Sequence, residues 1–170
     1  MKTTTPLYTE TLSLHSKVIY WILIVSTFFA VGIPVLTNGS QWNEKEVTGT
    51  LMVAGIMALI WWLLLASRIK LQLDAEGVRY QFWPFSKKQA RWETLRGWYV
   101  RQVSPFSEFG GWGMRYGLGQ GWGYVTTSKW GLQLVYKDNS RVVISTRRPD
   151  ELKHWLEQWA PAEVIETAER

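Results

Sequence analysis

The chain has no cysteine. That excludes disulfides, thiolate nucleophiles and zinc-thiolate sites together, while leaving the redox compartment open. Histidine is nearly as scarce: His15 and His154 stand far apart in sequence, neither with a metal-ligand partner nearby. No G-x-G-x-x-G spacing and no Gly-Lys-Ser/Thr step occurs, so the common phosphate-cradling loops are missing. Ser104 and Ser107 lack a nucleophile-elbow pattern, and nothing in the sequence brings Glu93 and Glu108 together as an acid and base. The expectation is a protein with no catalytic residue, no metal and no cofactor.

Charge is missing from two runs near the front of the chain, Val18–Leu36 and Leu51–Ala66. The first is about the 20 residues a helix needs to cross roughly 30 Å of hydrocarbon, and the second reaches that length when counted from Thr48 to Ser67. A water-soluble amphipathic helix would carry a polar stripe that neither run shows. Two transmembrane helices are therefore predicted, over 18–36 and 48–67. A cleaved signal peptide, processed near Ala30 and Gly32, competes for the first run. It fits less well, because the apolar stretch exceeds the usual h-region and a long segment with only Lys2 and Lys17 positive precedes it. Asn38-Gly39-Ser40 matches a glycosylation acceptor but reads more simply as a turn out of the first helix.

Basic residues beside the spans set the expected orientation. Lys2 and Lys17 precede the first and Arg68 and Lys70 follow the second, whereas Lys45 in the connecting loop stands between Glu44 and Glu46. The positive-inside rule then puts both termini in the cytoplasm of a multi-pass protein of the inner or plasma membrane. Trp21, Trp42, Trp61 and Trp62 fall near or within the span ends, where indole suits the interface. Ser26/Ala30 and Ala54/Ala58 are small-xxx-small pairs that let helices approach.

About 100 residues follow Ser67, the size of one small domain. The formal charge is +5, and Arg68–Arg101 holds eight Lys or Arg against Asp74, Glu76 and Glu93. Directly after a membrane exit, such an excess favours anionic headgroups by up to about 1 kcal/mol per basic residue. Membrane lipids are the expected partner, contacted through Arg68, Lys70, Lys87 and Lys88, with a protein partner as well and no nucleic acid.

Alternation of Ile69, Leu71 and Leu73, a turn at Asp74-Ala75-Glu76-Gly77, and alternation of Val78, Tyr80 and Phe82 predict a hairpin. Short strands are expected over 90–93 and 95–103, and a second hairpin over Gly131–Tyr136 and Arg141–Thr146. Pro149, with Asp150 and Glu151 in the first turn, opens a helix whose Leu152, Trp155, Leu156 and Trp159 form one apolar stripe, and Pro161 ends it. The domains so drawn are 1–67 (N-terminal segment and hairpin), 68–160 (sheet domain) and 161–170 (a flexible acidic tail).

The segments RIKLQLDAEGVRYQFWPF, RWETLRGWYV, GLQLVYKDNSRVVIST and RRPDELKHWLEQW resemble the bacterial PH-like (bPH) membrane proteins, in which a two-helix transmembrane hairpin leads into a PH-like domain. The resemblance covers most of the chain after Ser67 and is one of architecture. It implies an α+β fold: an antiparallel PH-like barrel or sandwich of about seven strands capped by a C-terminal helix. It also implies a membrane-anchored interaction or scaffold module. An accessory subunit of a transport or secretion complex is the alternative, and a lipid-processing enzyme at the bilayer surface is a weaker one. Lipid-binding PH domains gather Lys and Arg around the first hairpin loop, but here that loop is Asp74-Ala75-Glu76-Gly77, with Arg79 the only basic residue near it. A specific phosphoinositide site there is not expected.

The least ordinary stretch is 104–131, with eight glycines from Gly110 to Gly131 and three tryptophans, Trp112, Trp122 and Trp130. One reading is a partner-binding loop presenting Trp112 and Arg115; the other is glycine-bent strands with tryptophans in the core. Its Gly flanks incline Trp112 toward exposure, and their strand-like surroundings incline Trp122 and Trp130 toward the core.

Overall fold

The computed structural model describes residues 8–14, 16–38, 42–161 and 165–166. His15, Gly39, Ser40 and most of the acidic tail lie outside the described residues. Two compact units emerge: His15–Ala66, and Met1–Leu14 together with Ser67–Arg170.

The first unit contains two helices long and apolar enough to cross a membrane, Lys17–Thr37 and Glu44–Ala66. The first is built from α1 (Lys17–Thr27), a π-helical turn (Phe28–Gly32) and α2 (Ile33–Asn38). Ser16 caps α1 by accepting the Ile19 N–H at 3.2 Å. Pro34 accounts for the π turn: it has no N–H to give the Ala30 carbonyl, and the ladder widens so that Ile33 donates to Phe28 instead. The second helix, α3 (Glu44–Ala66), starts four residues before the expected Thr48. A reciprocal cap is the reason: Asn43 Oδ1 accepts the Glu46 N–H at 2.9 Å, and Glu46 Oε2 accepts the Asn43 N–H at 3.2 Å. Ser26 spends its hydroxyl on the Leu23 carbonyl of its own helix. The bond between helices is made next to it, where Trp61 Nε1–H donates to Thr27 Oγ1 at 3.0 Å.

The second unit is built on two sheets. The first has the order β1-β2-β3-β4, all antiparallel: β1 (Tyr8–Ser13), β2 (Arg68–Asp74), β3 (Gly77–Trp83) and β4 (Ser86–Arg91). After a 3-10 turn at Trp92–Thr94 comes the second sheet. It comprises β5 (Leu95–Gln102), β6 (Gly113–Gly117), β7 (Gly121–Val125), β8 (Trp130–Tyr136), β9 (Arg141–Thr146) and β10 (Ile165–Glu166), in the order β10-β5-β8-β9-β7-β6. Between β5 and β6 lies the short helix α4 (Pro105–Phe109), and α5 (Pro149–Trp159) follows β9.

Both expected hairpins are present, but the strands number ten among the described residues, and β7/β9 and β10/β5 run parallel. The boundary at residue 67 is also corrected at its N-terminal side. Residues 8–13 pair with β2 from Tyr8↔Leu73 to Ser13↔Arg68, so this segment groups with the sheets and not with the hairpin. At the other end, the pairing of Ile165–Glu166 with Gly97 and Trp98 gives part of the expected flexible tail a place in the second sheet.

The core forms where the inward residues of the two sheets meet. Ile69, Leu71 and Leu73 of β2 and Val78, Tyr80 and Phe82 of β3 are buried, as are Tyr124, Leu132, Leu134 and Ile144 of the second sheet. The Tyr80 and Tyr124 rings meet edge to face at 4.9 Å, and the Tyr80 and Tyr136 hydroxyls are 3.2 Å apart. Burial, helped by that hydrogen bond, holds the Tyr80 phenol protonated above the usual tyrosine range. Helix α5 packs on β5 and β8 through Leu152 and Leu156, both fully buried. Trp155 is half-buried and Trp159 is exposed, so the apolar stripe is narrower than its sequence spacing predicts.

Candidate functional site

The period of two along a strand sorts the basic residues by face. Because Ile69 and Phe82 point inward, Arg68 and its cross-strand partner Trp83 point outward, and so do Lys70, Gln81 and Lys87 in the next row. Lys88 pairs with Tyr80 and stands on the opposite side, with its ammonium 5.7 Å from the centre of the Trp122 ring. The four expected lipid-contact residues are therefore split: Arg68, Lys70 and Lys87 share one face, and Lys88 belongs elsewhere. None of those three has a carboxylate partner among the described residues.

The β2–β3 turn is closed upon itself. Asp74 is buried, and its Oδ1 accepts the N–H groups of Glu76 and Gly77 at 2.9 and 3.0 Å. Arg79 places Nε 2.8 Å from Asp74 Oδ2 and Nη2 3.3 Å from Glu76 Oε2. Arg79 is thus already matched by the two carboxylates beside it.

The 104–131 segment follows neither of the two expected patterns. Trp122 and Trp130 are 41% and 38% exposed, whereas Trp112 is half-buried with its ring edge-on to Phe106 at 4.9 Å. The inclinations drawn from their flanking residues are reversed for all three. What the glycines provide is a floor. Phe109 is buried with Val103, Val125 and Val143, and a Cβ on Gly123 would come within 2.6 Å of its ring carbons. A Cβ on Gly117 would meet the Glu108 carbonyl and the same ring, and one on Gly131 would come within 2.8 Å of the Val103 side chain. Missing side chains on β6, β7 and β8 therefore let the α4 segment lie flat on the sheet. Gly110 ends α4 in the left-handed region at φ 67°, its N–H returning to the Phe106 carbonyl.

Beside this floor is a polar cluster. Arg101 is buried and donates to Gln133 Oε1 at 3.0 Å, to Glu108 Oε2 at 2.5 Å and to Gln120 Oε1 at 3.2 Å. Glu108 also accepts the Ser104 N–H at 2.7 Å. Burial alone would raise the Glu108 pKa, but the Arg101 hydrogen bond, the Ser104 N–H and the Arg101 charge outweigh it and hold the carboxyl below its ordinary value. Sequence reasoning missed this group, because Arg101 and Gln133 look like ordinary strand residues until the register brings them side by side.

The remaining candidates are dispersed. Arg115 is exposed on β6, the outermost strand of its sheet, and its Nε donates to the Trp112 carbonyl at 3.3 Å, so the two residues of the expected partner loop are neighbours. His154 is exposed and 3.0 Å from Gln158 on the same helix. Glu93 lines an open cleft of about 520 Å³ with Glu76, Arg91 and Trp92, while Glu108 is bound to Arg101. Among the described residues no group of three or more His, Asp or Glu is arranged to hold a metal ion. No family model, curated protein or solved structure matches the chain.

Proposed function

We propose that the chain is a membrane-anchored interaction module: a PH-like sheet domain held at the cytoplasmic face of the inner or plasma membrane, acting by binding and not by catalysis. One observation carries the reading. The two apolar helices are spliced into the sheet domain between β1 and β2, strands that pair along their whole length. A domain interrupted in this way by a membrane hairpin stays at the bilayer surface through two attachments, which suits a scaffold better than a diffusing enzyme. The open edge of β6, with Trp112 and Arg115, supports a protein partner that adds a strand there, and with it the second reading, an accessory subunit of a larger membrane complex.

The absence of cysteine permits a direct test of topology. In intact cells Asn43→Cys, in the loop between the spans, reacts with a membrane-impermeant thiol reagent, and Lys137→Cys, in the β8–β9 turn, reacts only after permeabilisation. Equal labelling of both sites before permeabilisation overturns the cytoplasmic placement.

A further inference from the structure

The β3–β4 turn exposes two aromatic rings. Trp83 and Phe85 are 42% and 59% exposed, on either side of Pro84. Phe85 is held in place: its N–H donates to the Phe82 carbonyl at 2.8 Å, and its ring stacks on the buried Phe82 ring at 5.5 Å. The two exposed aromatics sit among Arg68, Lys70 and Lys87, through the pairs Arg68↔Trp83 and Gln81↔Lys87.

This end of the sheet is also where the chain enters and leaves the apolar helices. Ser67 alone separates Ala66 of α3 from Arg68, and only Leu14 to Ser16 separate Ser13, the partner of Arg68, from α1. A chain reaches no more than about 3.5 Å per residue, so neither linker is long. At the other end of β2 and β3 lie Asp74 and Glu76, about 20 Å away at the rise of a strand. The first sheet thus carries exposed aromatics, with cations that have no carboxylate partner among the described residues, at the end bearing both helix attachments, whereas at the far end Asp74 and Glu76 accompany Arg79 and Arg91.

We infer that the Trp83–Phe85 turn is a third membrane attachment, resting on the anchored reading above: the two rings enter the interfacial layer of the leaflet, and Arg68, Lys70 and Lys87 engage the phosphates of anionic phospholipids. Indole and phenyl rings favour the headgroup level, and juxtamembrane cations add attraction to anionic lipid. The turn used is not the β2–β3 turn, which presents Asp74 and Glu76 and whose Arg79 is paired with both. Recognition is by charge and depth, with no preference among headgroups of equal charge.

The test uses the full chain in nanodiscs of phosphatidylcholine alone or mixed with phosphatidylglycerol, with an environment-sensitive fluorophore on Phe85→Cys and, separately, on Glu76→Cys. In anionic discs the Phe85 probe is expected to shift to the blue and to be quenched by lipids spin-labelled near the headgroup, while the Glu76 probe keeps the spectrum of water. The Phe85 signal should fall between about 50 and 300 mM salt, as the Debye length drops below about 10 Å. It should be lost in the triple variant Arg68→Gln, Lys70→Gln, Lys87→Gln. A water-like Phe85 probe in anionic discs overturns the inference. Should the cysteine variant misfold, backbone hydrogen exchange of the unaltered chain across residues 83–88 serves instead: severalfold slowing in anionic over zwitterionic discs supports the attachment, and equal rates overturn it. Protection of the turn by an oligonucleotide but not by anionic lipid also overturns it. Alkaline carbonate extraction of native membranes separates the two levels. Release of the protein sinks the anchored reading itself, whereas retention with a water-exposed turn sinks only this inference.

Discussion

The Glu10 carboxylate accepts the Thr146 hydroxyl at 2.6 Å, joining two residues from opposite ends of the chain. It also accepts the Tyr8 hydroxyl at 2.8 Å and the Arg147 N–H at 2.8 Å, all at a buried position. This cluster fastens β1 to the end of β9. Glu10→Ala strands these donors and should cost about 2–4 kcal/mol. Thermal unfolding of the detergent-solubilised protein measures the loss, and limited proteolysis should reveal new cleavage before Ser13. An unchanged melting temperature would show that β1 is held by backbone pairing alone.

The glycine floor predicts an overpacking effect. Gly123→Ala places a methyl group against the Phe109 ring and should destabilise by about 1–3 kcal/mol. Phe109→Ala removes the ring, and in that background the added methyl should cost far less, a coupling that a double-mutant cycle reads directly. Additive losses would mean that Phe109 and Gly123 do not share space in solution.

Trp112→Ala distinguishes a half-buried side chain from a free one. It should lower stability by about 1–3 kcal/mol, less than the range for a fully buried aromatic, through loss of the Phe106 contact. Trp130→Ala, at a more exposed position, should cost less. The reverse order, measured by chemical denaturation, would restore the reading of Trp112 as a presented loop residue.

The Glu108–Arg101 pair gives a pH dependence of defined sign. The folded-state pKa of Glu108 lies below the ordinary 4.5, so its contribution is fully present above that value and is lost as pH falls through the folded pKa. Glu108→Gln should therefore be less stable than the parent at pH 7, by about 1–2 kcal/mol for a charge-assisted hydrogen bond, with the gap narrowing only below pH 4.5. A gap that is constant from pH 7 to 3 would contradict the assignment.

Residues close together in sequence made much of the fold legible. Leu71 and Tyr80, or Leu134 and Val142, alternate on either side of a short turn, and Leu152 and Leu156 repeat at helix spacing, so each element announces itself within a dozen residues. Strand β1 did not, for two reasons. Its inward set, Tyr8, Glu10 and Leu12, contains a carboxylate that breaks the apolar pattern, and its partner β2 lies beyond the whole hairpin. The tryptophans of 104–131 are not legible from their neighbours, because the glycine flanks of Trp112 point to a presented loop and the strand-like surroundings of Trp122 and Trp130 point to a core. What decides their setting is the space that Gly117 and Gly123 leave for Phe109, a contact that only the fold brings together. The polarity of the first sheet required register: Lys87 and Lys88 are adjacent in sequence and point to opposite sides.

The antiparallel pairing of β1 with β2 also has a consequence for biogenesis. A strand emerging early from the ribosome has no partner until both apolar helices have been synthesised, because Arg68 to Asp74 follows them. Sheet closure is therefore delayed until the hairpin has been translated, and the unpaired edge of β1 needs protection in the interval. A pulse-chase experiment would see this as protease resistance of the N-terminal segment appearing only after residues 68–74 have cleared the exit tunnel. The order of residues thus acts as a timer, placing synthesis of the apolar helices ahead of domain completion.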